Sequence, residues 1–266
     1  MKFLRYVAAV TALAFACNVW AQWSPTKTVF DIQKPIMKVF LPKDELNTGR
    51  AVVACPGGSY LGHAIGHEGW DWAPFFNKQG IALIVLQYTL PAGDRSKPIG
   101  DAEAAIKMVR DSAEVWHIDP AQVGIMGSSA GGHLASTIAT HSTAPDVRPD
   151  FQILFYPVIS MDAQRGHQLT HDNFLGPDAP QELVDEFSNE KQCTPQTPRA
   201  IILTSDDDSG VNSANNAAQY YIALKAAGVP ATLHIYPTGE HGWGSLQSFQ
   251  HHTEMLEDLS AWLRTF

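Results

Sequence analysis

Cysteine is scarce in this chain, with three residues among 266. A fold held together by a disulfide framework is therefore excluded, because such folds are dense in cysteine. Two of the three, Cys55 and Cys193, lie downstream of the N-terminal 21 residues. Cys55 ends a strand-like run and Cys193 falls in a polar loop, and their spacing leaves open whether they pair.

Clusters of basic residues are absent as well. Lys and Arg total 18 against 27 Asp and Glu, which gives a net charge of −9. Without a basic patch the chain lacks the electrostatic attraction that proteins use on phosphate backbones, so nucleic acid is excluded as a partner. Internal repeats and low-complexity tracts are also lacking, and a hydrophobic content of 45% is that of a globular chain with one sizeable core.

No hydrophobic run is long enough to cross a bilayer. The apolar segment 6–16 falls short of the roughly 20 residues that a spanning helix needs. It follows a basic N-terminus and precedes Val19-Trp20-Ala21, whose small end residues suit signal peptidase. The sequence therefore predicts a signal peptide over residues 1–21, export to the periplasm or the cell exterior, and a single mature domain over residues 22–266.

Two alternatives to a cleaved signal peptide exist. A retained membrane anchor is disfavoured because the apolar segment is short and polar sequence follows it. Lipid attachment at Cys17 is disfavoured because Phe15 stands where a lipidation motif has a small side chain. We therefore predict cleavage before Gln22, so that the mature chain begins at that residue.

Strand patterns alternate with helical ones along the mature chain. The best helix pattern runs from Asp101 to Trp116, with Pro98 and Gly100 marking its start, and a second runs from Asn212 to Ala227. Strands that are apolar on both faces and alternate with helices predict an α/β fold, with a mostly parallel sheet covered by helices on both faces. The predicted strands are Ala51 to Ala54, Ile81 to Tyr88, Val123 to Met126, Phe151 to Tyr156, Ala200 to Thr204 and Thr232 to Tyr236.

One long stretch, from about Ser160 to Pro198, has no strand character and contains several prolines. Insertions of this length usually border binding sites. We expect this segment to pack over one end of the sheet as a small cap or a long loop.

The segment Gly127-Ser128-Ser129-Ala130-Gly131 fits the pattern G-x-S-x-G with Ser129 at its centre. It follows a predicted strand and opens a helical segment, which is the context that a nucleophilic serine on a sharp strand-to-helix turn requires. The small neighbours matter because strand and helix must approach closely there. Ser129 is therefore the predicted nucleophile, against the alternative of a simple tight turn.

A glycine-rich loop, Cys55-Pro56-Gly57-Gly58-Ser59-Tyr60, follows the first predicted strand. Such a loop lets backbone N–H groups face an oxyanion that forms during a reaction. The predicted donors are the N–H groups of Gly58, Ser59 and Ala130. The alternative is an ordinary Pro-Gly-Gly turn.

Two further strand ends carry the remaining groups of a catalytic triad. Ser205-Asp206-Asp207-Asp208 ends one strand and supplies a carboxylate that would orient a histidine, although three consecutive acids also suit a solvated loop or a calcium site. His241, after the last predicted strand, would accept the serine proton. The order serine, acid, histidine is that of α/β-hydrolases.

These motifs together resemble secreted bacterial α/β-hydrolase esterases, above all the acetyl xylan esterase-like group. The likeness covers nearly the whole mature chain and is looser to the hormone-sensitive-lipase and prolyl-oligopeptidase catalytic domains. It implies an α/β-hydrolase fold, and it selects Asp208 as the acid because the family acid lies three positions before a valine, here Val211. Ser59 replaces a third glycine of the family loop, which would narrow the acyl pocket or add a hydroxyl to it.

The resemblance implies a serine esterase without a cofactor, which removes acetyl groups from plant polysaccharides such as xylan or xylo-oligosaccharides. A feruloyl or other short-chain carboxylesterase, a peptidase related to prolyl oligopeptidase and a non-catalytic carbohydrate-binding protein are the alternatives. Tyr60 and Trp243 are predicted to line the substrate site, Trp243 because it lies close to His241.

His63 and His67 have the i, i+4 spacing of metal ligands on a helix. Glycines at 62, 66 and 69 argue against a helix there, and the H-E-x-x-H pattern is missing. We therefore predict no metal site and expect a structural role for these histidines beside the oxyanion loop.

Overall fold

The computed structural model describes residues 24–162 and 164–266. The predicted signal peptide, the alternative membrane anchor and Cys17 lie outside these residues. Within them the strands form one eight-stranded sheet in the order β1-β2-β4-β3-β5-β6-β7-β8. The strands are β1 (Thr26–Gln33), β2 (Ile36–Pro42), β3 (Ala51–Cys55), β4 (Ala82–Leu86), β5 (Val123–Ser128), β6 (Phe151–Phe155), β7 (Arg199–Ser205) and β8 (Ala231–Tyr236).

Strands β3 to β8 run parallel, while β1 and β2 are antiparallel to their neighbours. The sequence did not predict β1 and β2. Their residues alternate between exposed and more buried positions, as in antiparallel strands with one face toward solvent. The predicted strands are runs that are apolar on both faces, and β1 and β2 lack this pattern.

Helices cover both faces of the sheet, as predicted. Val53 and Cys55 of β3 face one hydrophobic core, and Val52 and Ala54 face a second core on the opposite side. The helices are α1 (Ala73–Lys78), α2 (Ser96–Asp111), α3 (Ala113–Trp116), α4 (Ala130–His141), α5 (Gln168–Leu175), α6 (Gln181–Glu186), α7 (Ala217–Ala226) and α8 (His252–Leu263), with 3₁₀ turns at Trp70–Trp72 and Asn189–Lys191.

Two predicted helix boundaries were wrong. Helix α2 begins at Ser96, so that Pro98 lies in its first turn, where a missing N–H costs no helical hydrogen bond. The second predicted helix begins at Ala217 rather than Asn212. Asn216 leaves the helical conformation there because its side-chain oxygen accepts hydrogen bonds from the N–H groups of Ile159 (2.9 Å) and Ser160 (3.1 Å).

The open question about the cysteines is answered in the described residues. Cys55 and Cys193 are both free thiols, one buried and one partly buried. Burial raises the pKa of the Cys193 thiol to about 12 and raises that of Cys55 further still. Neither thiol is therefore ionised near neutral pH.

Among the described residues, no helix combines the length and the apolar character that a membrane span requires.

His133 is a fully buried polar residue of α4. Its Nε2 lies 2.9 Å from the carbonyl oxygen of Phe187, and its Nδ1 lies 2.9 Å from the hydroxyl of Tyr60. A carbonyl only accepts, so Nε2 carries the proton and Nδ1 accepts from Tyr60. Burial lowers the pKa of His133 from 6.5 to about 3, which keeps the ring neutral.

This buried histidine makes stability fall at acid pH. Between pH 6.5 and 3, His133 is protonated in the unfolded chain but stays neutral in the folded chain. The free energy of unfolding therefore decreases as pH falls. This group contributes at most about 1.4 kcal/mol per pH unit to that decrease. Urea unfolding of His133→Gln from pH 7 to pH 4 should show a shallower slope than wild type. His252→Gln, at the surface end of α8, is the control, and equal slopes for all three proteins would contradict the prediction.

Candidate active site

Three side chains meet at the carboxyl edge of the sheet. Ser129 follows β5, Asp208 lies beyond β7, and His241 lies beyond β8. His241 Nε2 lies 2.8 Å from Ser129 Oγ, and His241 Nδ1 lies 2.7 Å from Asp208 Oδ2. The Nδ1–H group of His241 donates a hydrogen bond to the Asp208 carboxylate. Nε2 therefore carries no proton and can accept the proton of the Ser129 hydroxyl. The structure therefore joins the three predicted catalytic residues in one hydrogen-bonded chain.

Ser129 has a strained backbone, with φ of 53° and ψ of −122°. Few non-glycine residues adopt a positive φ, and such strain persists only where the surroundings enforce it. The N–H of Ser129 donates to the Phe155 carbonyl (3.0 Å), and its own carbonyl accepts from Val158 (3.1 Å) and His133 (3.1 Å). These bonds to β6, to the loop after it and to α4 hold the nucleophile on its turn.

The three consecutive aspartates have different positions. Asp206 and Asp207 are exposed, whereas Asp208 is buried and its second oxygen accepts from the N–H groups of Gly210 (2.9 Å) and Val211 (2.7 Å). The valine that marks the acid in related sequences thus contacts that acid directly. Asp207 accepts from the N–H of Glu240 (2.8 Å) and so secures the loop that carries His241.

The acid assignment predicts that Asp208 alone is essential among these aspartates. Asp208→Asn should lower kcat for an ester substrate by on the order of 10³- to 10⁴-fold, because the amide favours the wrong imidazole tautomer. The exposed Asp206→Asn is the matched control and should stay within about threefold of wild type, since surface charges contribute little. Steady-state kinetics on both variants checks this, and a similar loss in the two would refute the assignment.

The oxyanion loop, residues 55–60, begins at the end of β3. Among the described residues, none accepts a hydrogen bond from the N–H of Gly58, Ser59 or Ala130. Ser59 has a left-handed φ of 54°, a conformation that glycine adopts without strain, which fits the glycine that the resemblance implies at this position. Its carbonyl accepts from Asn173 Nδ2 (2.8 Å), so that helix α5 holds this strained residue in place. Whether these three N–H groups receive an oxyanion stays a prediction.

A family model for the alpha/beta hydrolase fold matches residues 57–245 of this chain. The chain belongs to the α/β-hydrolase fold family. The family predicted from the motifs is thus confirmed, and the strand order, the strained serine and the triad geometry agree with it.

Among curated proteins, this α/β-hydrolase is 45% identical over 263 residues to an acetylxylan esterase of Xylanibacter ruminicola, covering 98% of this chain and 54% of the relative. It is 30% identical over 222 residues to endo-1,4-beta-xylanase B of Butyrivibrio fibrisolvens, covering 78% of this chain and 34% of the relative. The chain thus spans about half, or less, of the length of these curated relatives.

Among solved structures, an acetyl ester-xyloside bifunctional hydrolase from Caldicellulosiruptor lactoaceticus superposes with a TM-score of 0.79 at 31% identity. The match covers 89% of this chain and 90% of that one. The likeness therefore extends over most of both chains.

Backbone atoms of β3, β5 and α4 are in close contact around Ser129. A Cβ on Gly131 of α4 would overlap the carbonyl oxygen of Cys55 at the end of β3, and a Cβ on Gly127 would overlap the carbonyl oxygen of Gly131. Only hydrogen atoms fit at these positions. The glycines of the motif are therefore required by the spacing between β3, β5 and α4.

Gly131→Ala should accordingly separate β3 from α4 and move the oxyanion loop away from Ser129. We expect kcat to fall by about 100-fold, which a displacement of about 1 Å can cause, with a loss of stability of about 1–3 kcal/mol from overpacking. Gly100→Ala is the matched control at an exposed position of helix α2, where a Cβ meets open space. That variant should gain up to about 1 kcal/mol in unfolding free energy. Wild-type kcat in Gly131→Ala would contradict the packing argument.

Tyr60 and Trp243 lie inside the protein rather than on the pocket surface that was predicted for them. Tyr60 is 2% exposed, its hydroxyl contacts His133, and its ring stacks on Phe174. Trp243 is 4% exposed, donates to Ser205 Oγ (2.9 Å) and stacks on Phe249. Both side chains support the loops around the site through packing.

The two histidines weighed as metal ligands lie beside the oxyanion loop. The ring of His63 packs against Tyr88 at 4.5 Å, and burial lowers its pKa. In the part of the chain that the structure describes, no three His, Cys, Asp or Glu side chains are grouped to hold a metal ion.

The segment from Ser160 to Pro198 packs over the carboxyl edge, as predicted, and contains α5 and α6. His167 precedes α5, and its Nδ1 accepts from the N–H of Thr170 (3.3 Å). Burial and the neighbouring His241 lower the pKa of His167. The start of α5 therefore lies near the triad, and its last turn lies against Ser59.

Proposed function

We propose that this α/β-hydrolase is a serine esterase that removes acetyl groups from xylan or xylo-oligosaccharides. The observation that carries the reaction type is the Ser129–His241–Asp208 chain, with contacts of 2.8 Å and 2.7 Å. The substrate class is supported by three relatives whose names refer to xylan or xylosides, two of which also name an acetyl ester.

In this proposal Ser129 Oγ attacks the carbonyl carbon of the acetyl ester while His241 Nε2 takes its proton. The negative charge on the carbonyl oxygen is received by the N–H groups of Gly58, Ser59 and Ala130. His241 then protonates the departing sugar oxygen and leaves an acetyl group on Ser129. In the second half, His241 deprotonates a water molecule that attacks the carbonyl carbon of this acetyl group. His241 then returns the proton to Ser129 Oγ as the bond from Oγ to the carbonyl carbon breaks, and acetate is released.

The surroundings of the triad suit both halves of the reaction. The side chain of Asp208 is fully buried, so its charge acts on His241 with little screening by water. The side chain of His241 is 27% exposed, which gives a water molecule access to Nε2 once the sugar has left. Ser129 itself is 6% exposed, so the reacting hydroxyl is largely shielded from bulk solvent.

The test compares wild type, Ser129→Ala and Ser128→Ala on acetyl, butyryl and feruloyl esters, followed by acetate release from acetylated xylan. Ser129→Ala should lose on the order of 10⁴- to 10⁶-fold in kcat. Ser128→Ala, an adjacent serine outside the triad, is the control and should retain activity within about threefold. Unchanged turnover in Ser129→Ala would refute the mechanism, and strong feruloyl hydrolysis without acetyl hydrolysis would refute the substrate.

We also propose that the protein is exported and that residues 1–21 are removed. The support is the sequence pattern, together with a polymeric substrate that lies outside the cell. Intact-mass measurement of the protein from its native host should show an N-terminus at Gln22. A mass that includes residues 1–21 would contradict this proposal.

A further inference from the structure

Glu68 is a buried carboxylate inside the active-site region, with 3% of its surface exposed. Its Oε2 accepts a hydrogen bond from the N–H of Gly57 (2.7 Å), and its Oε1 accepts one from the hydroxyl of Tyr156 (2.8 Å). A buried charge is costly unless several donors satisfy it. The sequence marks Glu68 only as a neighbour of His67, whose Nε2 lies 3.9 Å from Oε1.

The first partner of Glu68 belongs to the oxyanion loop. Gly57 immediately precedes Gly58 and Ser59, whose N–H groups are the predicted oxyanion donors. A Cβ on Gly57 would lie 2.7 Å from Glu68 Oε2 and 2.9 Å from the Cβ of Ser129. The carboxylate therefore fixes the peptide that lies between the nucleophile and the oxyanion donors.

The second partner of Glu68 belongs to the histidine side of the site. The Tyr156 ring lies edge-on to the His241 imidazole, with ring centres 4.8 Å apart. Its hydroxyl oxygen accepts from the N–H of Gly244 (2.7 Å), three residues beyond His241 in the same loop. Burial and the neighbouring Glu68 raise the pKa of this hydroxyl well above its usual range, so it stays protonated and donates to Glu68.

We propose that Glu68 is a positioning residue for the esterase reaction, which holds the oxyanion loop and the His241 loop at a fixed separation. The two loops are connected within the protein by one carboxylate, through Gly57 on one side and Tyr156 on the other. Charge-assisted hydrogen bonds of this kind are about twice as strong as neutral ones, and small displacements of catalytic groups reduce rates steeply. The inference rests on the proposed esterase activity.

The first test is Glu68→Gln, which replaces one acceptor oxygen with an NH₂ group that can only donate. Both contacts then lose their charge assistance, and an NH₂ group that faces Tyr156 keeps that contact only with its direction reversed, so that the hydroxyl no longer donates to residue 68. We expect kcat for p-nitrophenyl acetate and the rate of the acylation burst to fall by about 10- to 100-fold, with KM within about threefold of wild type. A purely structural role would lower the unfolding midpoint but leave kcat of the folded protein unchanged.

Tyr156→Phe is the second variant. It keeps the ring against His241 and removes only the hydroxyl, so it remains informative if Glu68→Gln does not fold. A fall in kcat of about 10-fold is expected, and the double variant should lose less than the product of the two single losses, because both interrupt the same connection. Additive losses, or wild-type kcat in either folded variant, would overturn the inference.

Asp258→Asn is the matched control. Asp258 also accepts from a tyrosine hydroxyl, that of Tyr236 (2.8 Å), but lies in α8 outside the two loops. Its kcat should stay within about twofold of wild type, and an equal fall there would overturn the inference. A wild-type protein that hydrolyses no ester would overturn the proposed function together with this inference. An active wild type with unchanged Glu68→Gln would overturn the role of Glu68 alone.

Discussion

The close contact between the end of β3 and the start of α4 governs the geometry of this active site. Gly131 lies against the Cys55 carbonyl with no room for a Cβ, and Ser129 is held with a positive φ beside it. Because the oxyanion loop starts directly after Cys55, the spacing between these two backbones sets the distance from the nucleophile to the donors. The catalytic geometry thus depends on backbone contact more than on any single side chain.

Three acidic residues then fix the loops that this backbone contact leaves free. Asp208 orients His241 and accepts two N–H groups of its own loop, Asp207 holds the backbone of Glu240, and Glu68 connects Gly57 with Tyr156. Each carboxylate accepts backbone N–H groups that an irregular loop would otherwise leave unsatisfied. These three carboxylates thus order the loops around the site.

Sequence patterns predicted the parallel part of the sheet and the triad because both depend on local signals. Apolar runs mark buried parallel strands, and the rule that functional groups follow such strands brought Ser129, Asp208 and His241 together. Strands β1 and β2 were missed because they form the antiparallel part of the sheet, where burial alternates along the strand and the apolar signal is weaker. Tyr156 directly follows β6, but the predicted strand included it, so the strand-end rule did not identify it, and no local pattern marks Asn173 or Glu68.

By itself, the sequence determined that the chain forms an α/β fold, and it predicted Ser129 as the nucleophile and His241 as the histidine of the triad, two residues whose side chains the structure places 2.8 Å apart. These follow from strand periodicity, from glycines with no room for a side chain, and from the order of motifs along the chain. Only the tertiary structure decided that Tyr60 and Trp243 are buried and that Glu68 contacts Tyr156, 88 residues further along the chain. The reason is physical: burial and hydrogen-bond partners across such separations depend on how strands and loops pack, which a linear pattern does not encode.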